Sequence, residues 1–177
     1  MNIKSTDRED FRLIYEQNFE LLMQVVIHIV YNIDIAEDLV QEAFERFYVR
    51  NMSFPSEDDA RYWLLRVAKN LALNYVRRNK REGEMVEKVR KMPSYTSSGP
   101  DGAQEAVRSE HIEEVRKAIE KLPEHLRLAI QLKEFSGLDY KAIGRVLGIS
   151  ETNVKVRVHR ARKKLEEILG KEAGDVY

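Results

Sequence analysis

Lys155, Val156, His159, Arg160 and Lys163 follow one another at intervals of one or three residues late in the chain. That spacing gathers them on the outer side of a helix. Cations of this kind grip phosphates, and a valine among them could touch a thymine methyl in a DNA major groove. The neighbouring residues supply the frame. A short helix over Leu138–Leu147 would end at Gly148, a residue that readily takes the left-handed conformation of a sharp turn. Ser150 would cap a second, longer helix through its hydroxyl, with Asn153 in its first turn. Val154, Val158, Ala161, Leu165 and Ile168 keep a three- and four-residue spacing and must face inward. The layout is that of a helix-turn-helix. A plain helical hairpin with a solvated basic face shares the periodicity, but gives no reason for a glycine and a cap at these offsets.

A second candidate surface lies earlier. Arg61, Tyr62, Trp63, Arg66, Lys69, Asn70, Asn74, Arg77 and Arg78 mix cations, amides and aromatics along one predicted helix. Lys and Arg suit phosphates, Asn can bond a base edge, and aromatics can stack on an unpaired base. Taken alone, Trp63 and Tyr75 read as core residues and the cations as a solvated face. Phe54, in the polar loop just ahead, has two readings: an anchor tucked against the bundle, or a ring offered to a base.

The third surface is acidic. Glu37, Asp38, Gln41, Glu42 and Glu45 alternate with Val40 and Phe44, so that apolar residues lie on more than one side of the helix. A protein-binding face is one reading; a helix buried on two sides of a bundle is the other.

These surfaces need helices to position them, and the sequence reads as almost all helix with no hint of strands. Thr6 and Glu9 are placed as a capping box before Phe11, Ile14, Tyr15, Leu22, Val25 and Ile29. Asp34 and Glu37 form a second box, opening a helix to about Val49 with Ile35, Leu39, Ala43 and Phe47 as its stripe. Pro55 blocks helix continuation, and a third helix is expected from about Asp59 to Asn79, burying Leu64, Val67 or Ala68, Leu71 and Tyr75. Two of the chain's four prolines and two of its eight glycines fall within Lys91–Gly102, the composition of a linker. Beyond it, Ile112, Val115, Ile119 and Leu122 mark one helix, and Leu126, Ile130 and Leu132 another. With the helix-turn-helix they make a four-helix domain. The predicted fold is therefore all-α: a helical bundle at 6–81, a flexible linker at 82–108, and the four-helix domain at 109–170.

The totals narrow the class. The 177 residues are 43% hydrophobic and carry no net charge, but the charge is segregated. Arg61–Arg81 and Lys141–Lys164 are each +7, Asp34–Val49 is −4, and the remainder is −10. Two basic patches on an acidic body suggest two contacts with one polyanion. There is no Cys, hence no disulfide and no thiolate metal site. The apolar run Leu21–Val30 is too short to span a bilayer, and the N-terminus lacks the order of a signal peptide. The expectation is a cytoplasmic protein with no cofactor and no bound metal.

In order and spacing, from about Phe11 to Leu169, these segments resemble the extracytoplasmic-function group of bacterial RNA polymerase sigma factors. Asp34–Tyr48 is similar to the family's segment that docks on the polymerase clamp, which implies docking roles for Asp38, Gln41, Glu42 and Phe44. Trp63–Arg78 is similar to the helix that reads and opens the −10 element. The implied −10 contacts are Phe54, Trp63, Arg66, Lys69, Asn70, Asn74, Arg77 and Arg78, with a base flipped into the Phe54–Asp59 loop. Leu122–Arg162 is similar to the domain that reads the −35 element, implying contacts by Ser150, Asn153, Lys155, Val156, His159, Arg160 and Lys163. The partners implied are core RNA polymerase, at its clamp and flap, promoter DNA, and an anti-sigma factor. The polymerase would supply catalysis.

Three rival classes fit less of the chain. A simple helix-turn-helix regulator explains neither the second basic helix nor the acidic segment. An enzyme lacks a motif: there is no GxxxxGK, GxSxG, HExxH or Cys nucleophile, and His28, His111, His125 and His159 stand apart in sequence. His28, on an apolar helix, reads as a satisfied core histidine. A protein-only module such as an anti-sigma factor has no use for two basic patches.

Overall fold

The computed structural model describes residues 2–82 and 102–174, the side chains of 102–109 and 171–174 excepted. The segment expected as a linker, 82–108, lies largely outside them. Two helical groups result. The first comprises α1 (Arg8–Val30), α2 (Ile33–Val49) and α3 (Glu57–Glu82), and the second α4 (Gly102–Glu120), α5 (Glu124–Phe135), α6 (Tyr140–Leu147) and α7 (Glu151–Gly174). α4 starts at Gly102, inside the stretch read from composition as linker.

The first group departs from the sequence expectation in its helix starts. Asp7, not Thr6, caps α1, its carboxylate accepting from the backbone N–H groups of Glu9 (3.0 Å) and Asp10 (3.1 Å). The Thr6 hydroxyl instead donates to the Asn51 side-chain oxygen. Asn32, not Asp34, caps α2 by accepting from the Ile35 N–H at 3.1 Å. The chain turns into that cap through Tyr31, which adopts a left-handed φ of 53° at the end of α1. α3 begins earlier than expected, because the Ser56 hydroxyl accepts from the Asp59 N–H (3.2 Å) and donates to the Asp59 carboxylate (2.7 Å). That reciprocal pair satisfies donors which the end of a helix leaves open.

A small strand pair also contradicts the strand-free expectation. β1 (Ile3–Lys4) runs antiparallel to β2 (Ser53–Phe54), with Ile3 opposite Phe54. Two residues offer no alternation for a period-2 pattern to show. The pair is extended by Ser5, whose N–H donates to the Met52 carbonyl at 2.9 Å. It pins the loop before α3 to the N-terminal segment.

α2 buries Ala36, Val40, Ala43, Phe44 and Phe47; of the expected stripe, Ala43 and Phe47 are buried, while Ile35 and Leu39 are half-buried and the buried face turns toward Ala36, Val40 and Phe44. The rotation follows from packing against both α1 and α3, which covers two sides of the helix. Ile14, Leu22, Val26, Phe47, Leu64 and Leu65 are fully enclosed at its centre. Burying each such side chain contributes about 1.5–3 kcal/mol. Asn18 is also fully buried. Its amide donates to the Ile14 carbonyl at 2.7 Å, and its oxygen accepts from Arg61 Nε at 2.9 Å.

In the second group, Asp139 caps α6 by accepting from the Ala142 N–H at 2.7 Å, and Gly148 ends it at φ 70°. The turn closes tightly over Gly144. The Ile149 N–H donates to the Gly144 carbonyl at 3.0 Å, and a Cβ on Gly144 would stand 2.7 Å from the Ile149 carbonyl oxygen. Val154, Val158 and Ala161 of α7 pack inward as the spacing requires. The two groups touch: α1 meets α5, and α3 meets α6.

Candidate nucleic-acid interface

α7 presents its outer face much as its sequence implies. Lys155, Val156, His159, Arg160 and Lys163 are exposed beside the buried Val154–Val158–Ala161 seam. Ser150 is occupied as a cap, its hydroxyl oxygen accepting from the Asn153 N–H at 3.2 Å. Its own O–H remains a donor. The Asn153 side-chain oxygen accepts from Arg157 at 3.2 Å. Lys155 reaches back one turn to Glu151 at 2.7 Å, which raises its pKa, and lies 5.7 Å from the Tyr140 ring centre. Arg162 points the other way, bonded to Glu134 of α5 at 2.6 Å. Among the described residues, the cations of this face outside these ion pairs are therefore Arg160 and Lys163, with His159 beside them and Val156 as an apolar point among them.

On α3, Arg66, Asn70, Asn74 and Arg78 are exposed at four-residue spacing. Lys69 is half-buried, and its pKa is pushed down by burial first and then by Arg66 and Arg77. Arg77 is engaged. Glu124 of α5 accepts from its Nε (3.2 Å) and its terminal nitrogen (2.5 Å), which raises the guanidinium pKa and holds the carboxyl below its usual range.

Phe54 resolves to the anchor reading. It is buried, stacked on Phe47 at 5.4 Å, with Trp63 edge-on at 6.0 Å. A ring enclosed in that way is not offered to a base, so the expected base-stacking contact is corrected to a support beneath the loop. Trp63 is only half-buried, 5.8 Å from Phe47, and keeps an outer edge.

The acidic helix shows a similar division. Glu37, Asp38, Gln41 and Glu45 are exposed, and Glu42 bonds Arg46 at 2.6 Å. Phe44 is 3% exposed, 4.7 Å from Tyr15 and edge-on to Phe11. It cannot be a surface contact and instead underlies the face. Exposed apolar side chains follow in the same helix, Tyr48 and Val49, the last 78% exposed; on α1, Leu13 is exposed too, as is Tyr15, which the periodicity had placed in an apolar set. Aromatic and apolar groups beside carboxylates are the make-up of a protein-binding patch.

His28 is held between the two groups. Its Nδ1 donates to the Gln24 carbonyl at 2.6 Å and its ring lies flat on Phe135, centroids 3.8 Å apart. Burial pushes its pKa down, with the Gln24 bond opposing. Among the described residues no group of three His, Asp or Glu is placed to hold a metal ion, and no helix is long and apolar enough to cross a membrane.

Comparison with known proteins fits this arrangement. The sigma-70 region 2 family model matches residues 14–82, spanning α1 to α3, and the sigma-70 region 4 model matches 112–165, spanning the helix-turn-helix. The chain is 31% identical over 173 residues to the ECF RNA polymerase sigma factor SigW of Bacillus subtilis, covering 94% of this chain and 92% of that one. It belongs to the extracytoplasmic-function sigma factors. The ECF sigma-E factor of Escherichia coli is 29% identical over 170 residues, with 93% and 88% covered. A sigma factor RpoE of Bartonella quintana, solved with the anti-sigma factor NepR, superposes with a TM-score of 0.67 at 25% identity, covering 92% of this chain and 98% of that one. CnrH, solved with the cytosolic domain of CnrY, superposes at 0.66 with 20% identity and shares the fold. As an ECF sigma factor the chain is a transcription initiation factor that directs RNA polymerase to promoters. Its two cationic helices then lie one in each of the two matched regions.

Proposed function

We propose that α2 docks on the polymerase clamp, that α3 reads and opens the −10 element, and that α7 reads the −35 element. The observation that carries this reading is the pairing of two exposed cationic helices, α3 and α7, with an acidic, aromatic-rimmed face on α2. The docking contacts are Asp38, Gln41 and Glu42, with Tyr48 and Val49 at their border. At the −10 element, Arg66, Lys69, Asn70, Asn74, Arg77 and Arg78 hold the strand, with the outer edge of Trp63. Phosphate contacts by the cations position the strand, and the two asparagines are the base-edge donors and acceptors. At the −35 element, Val156, His159 and Arg160 face the groove, and Ser150, Asn153, Lys155 and Lys163 hold its walls.

Residues 6–81 form the docking and opening domain, 109–170 the second reader, and 82–108 the connection that sets their spacing on the promoter. The chain supplies binding energy and the polymerase supplies the chemistry, so it is not itself an enzyme. Its place is the cytoplasm, with the polymerase. Its relative RpoE, solved with the anti-sigma factor NepR, supports control of this chain by an anti-sigma factor.

The test is transcription by bacterial core polymerase with and without the chain on genomic fragments of its host. Start sites that depend on the chain and share two spaced elements are the expected result. Specific duplex binding by the chain alone, with no new starts, would replace this reading with that of an ordinary regulator.

A further inference from the structure

The loop between α2 and α3 is clasped from outside by the N-terminal segment. Ser5 is fully buried beside it. Its N–H donates to the Met52 carbonyl at 2.9 Å, and its hydroxyl oxygen accepts from the Met52 N–H at 2.8 Å. One residue thus takes both backbone groups of Met52. The Thr6 hydroxyl donates to the Asn51 side-chain oxygen at 2.9 Å, and Asn51 stands at a left-handed φ of 48°. A side-chain-bearing residue keeps such a φ where its surroundings hold it. On the other side of Ser5, the β1–β2 pair sets Ile3 opposite Phe54 on the buried face and Lys4 opposite Ser53 on the exposed one. The clasp is itself fixed to α1: the Lys4 N–H donates to the Asp10 carboxylate at 2.8 Å, and Ile3 is enclosed in the core.

This arrangement decides what the loop turns outward. With the Phe54 ring folded beneath it, Asn51, Ser53 and Pro55 are its exposed side chains. They lead directly into α3, from which Trp63 meets Phe54 edge-on at 6.0 Å. Short polar side chains and backbone amides can hydrogen-bond the edge of a base taken out of its stack. They discriminate between bases when their directions are fixed before the base arrives. A loop that orders only on binding loses affinity to its own entropy and bends to fit the wrong base.

We propose that Ser5 and Thr6 are positioning residues for promoter opening: by clasping Asn51 and Met52 they set the loop before α3 in the shape that receives one unpaired base of the −10 strand, and so determine which base is accepted there. The inference rests on the reading of α3 as the helix that opens the −10 element. It extends that reading to a segment outside the region 2 match, which begins at residue 14. Ser5, being buried, acts only through the loop it holds.

The test uses the full chain assembled with core polymerase. The probes are single-stranded oligonucleotides carrying the −10 sequence of start sites that depend on the chain, with each base replaced in turn. A neutral hydrogen bond shifts an equilibrium about two- to tenfold. The Ser5→Ala, Thr6→Val double variant should therefore bind the intact −10 strand about four- to twentyfold more weakly. It should lose its preference at one base position and keep it at the others, with affinity for core polymerase unchanged. Thr6→Val alone, at an exposed site, should show part of the same loss, and Thr6→Ser, which keeps the hydroxyl, should match wild type. Damage to the fold would instead lower every base preference and core binding together. Unchanged base preferences in the double variant overturn the proposal, as does equal weakening at every position. If the double variant does not fold, Thr6→Val decides: full selectivity there overturns the proposal, as does a Thr6→Ser variant no better than Thr6→Val. Absence of start sites with wild-type chain and core polymerase removes the sigma reading and this inference together, whereas start sites with selectivity intact in the variants remove this inference alone.

Discussion

Phe54 lies nearly parallel to Phe47, ring centroids 5.4 Å apart and planes inclined by 16°. The contact ties the loop before α3 to the middle of α2, so the loop's shape depends on a core stack. Replacing Phe54 by Ala should leave a cavity and cost about 3–5 kcal/mol, read as a lower denaturation midpoint of the N-terminal domain. Phe54→Leu should recover much of the stability and, with it, promoter opening. If Phe54→Ala keeps wild-type stability but abolishes permanganate reactivity at −10 thymines, the ring meets a base directly and the anchor assignment fails.

The two readings of Phe54 were inseparable in the sequence because an aromatic in a polar loop looks the same whether it turns in or out. The helix-turn-helix was legible, since Gly148 and Ser150 act within a few residues of themselves, although the Asp139 cap of α6 went unread. Helix starts were less so. Thr6 and Asp34 sit near better-placed caps, Asp7 and Asn32, and only the geometry of the turn decides which side chain meets the free N–H groups. Contacts such as Gln131 with His28, or Arg145 with Asp59, leave no local trace at all. They join residues far apart in the chain and exist only once two domains have packed.

The face of α2 divides into groups that touch a partner and groups that support them. Asp38 is exposed, so Asp38→Arg should change stability by no more than about 0.5 kcal/mol while weakening binding to core polymerase. Tyr48→Ala should act in the same direction. Phe44→Ala should instead lose about 3–5 kcal/mol of stability, since the ring is enclosed. Binding of purified polymerase to immobilised chain separates these effects. Full affinity in Asp38→Arg and Tyr48→Ala would move the docking face elsewhere.

Gly144 tests the turn. A methyl group there would meet the Ile149 carbonyl oxygen at 2.7 Å, and backbone cannot swing aside as a flexible side chain would. Gly144→Ala should cost about 1–3 kcal/mol and tilt α7 relative to α6. Thermal melting followed by circular dichroism measures the first effect. Loss of −35-dependent transcription with retained polymerase binding measures the second, and a wild-type melt would show that the turn can open without strain.

The outer face of α7 should act through phosphates and base edges together. Lys155→Ala, His159→Ala and Arg160→Ala combined should remove dependence on the −35 element without blocking assembly with polymerase. Each lost phosphate contact should also lower the salt slope of promoter binding by about one. Val156→Ala should leave the slope unchanged and alter base preference alone, because a methyl contact carries no charge. Promoter binding measured over a salt series distinguishes the two classes. A triple variant that still needs its −35 element would place another surface in the groove.

His28 gives the domain contact a pH dependence of defined sign. Burial holds its pKa below the ordinary 6.5, so the open chain takes up a proton more readily than the closed one. Closure is then complete above about 6.5 and weakens as the pH falls through that value toward the depressed one. Glu124 and Asp59 are also held low, by Arg77 and by Ser56 with Arg145. Their contribution persists above their ordinary values of 4.5 and 3.8 and fades only in stronger acid. Between pH 7.5 and 5.5, roughly, the imidazole on Phe135 is therefore the contact group that changes charge. Energy transfer between dyes placed at Arg50→Cys, just after α2, and Lys164→Cys on α7, both exposed in a chain without cysteine, should fall over this range. His28→Phe keeps a ring on Phe135 and has no proton to gain, so its transfer should stay level. An equal fall in both proteins would mean that another group opens the domains, and that His28 is only packed between them.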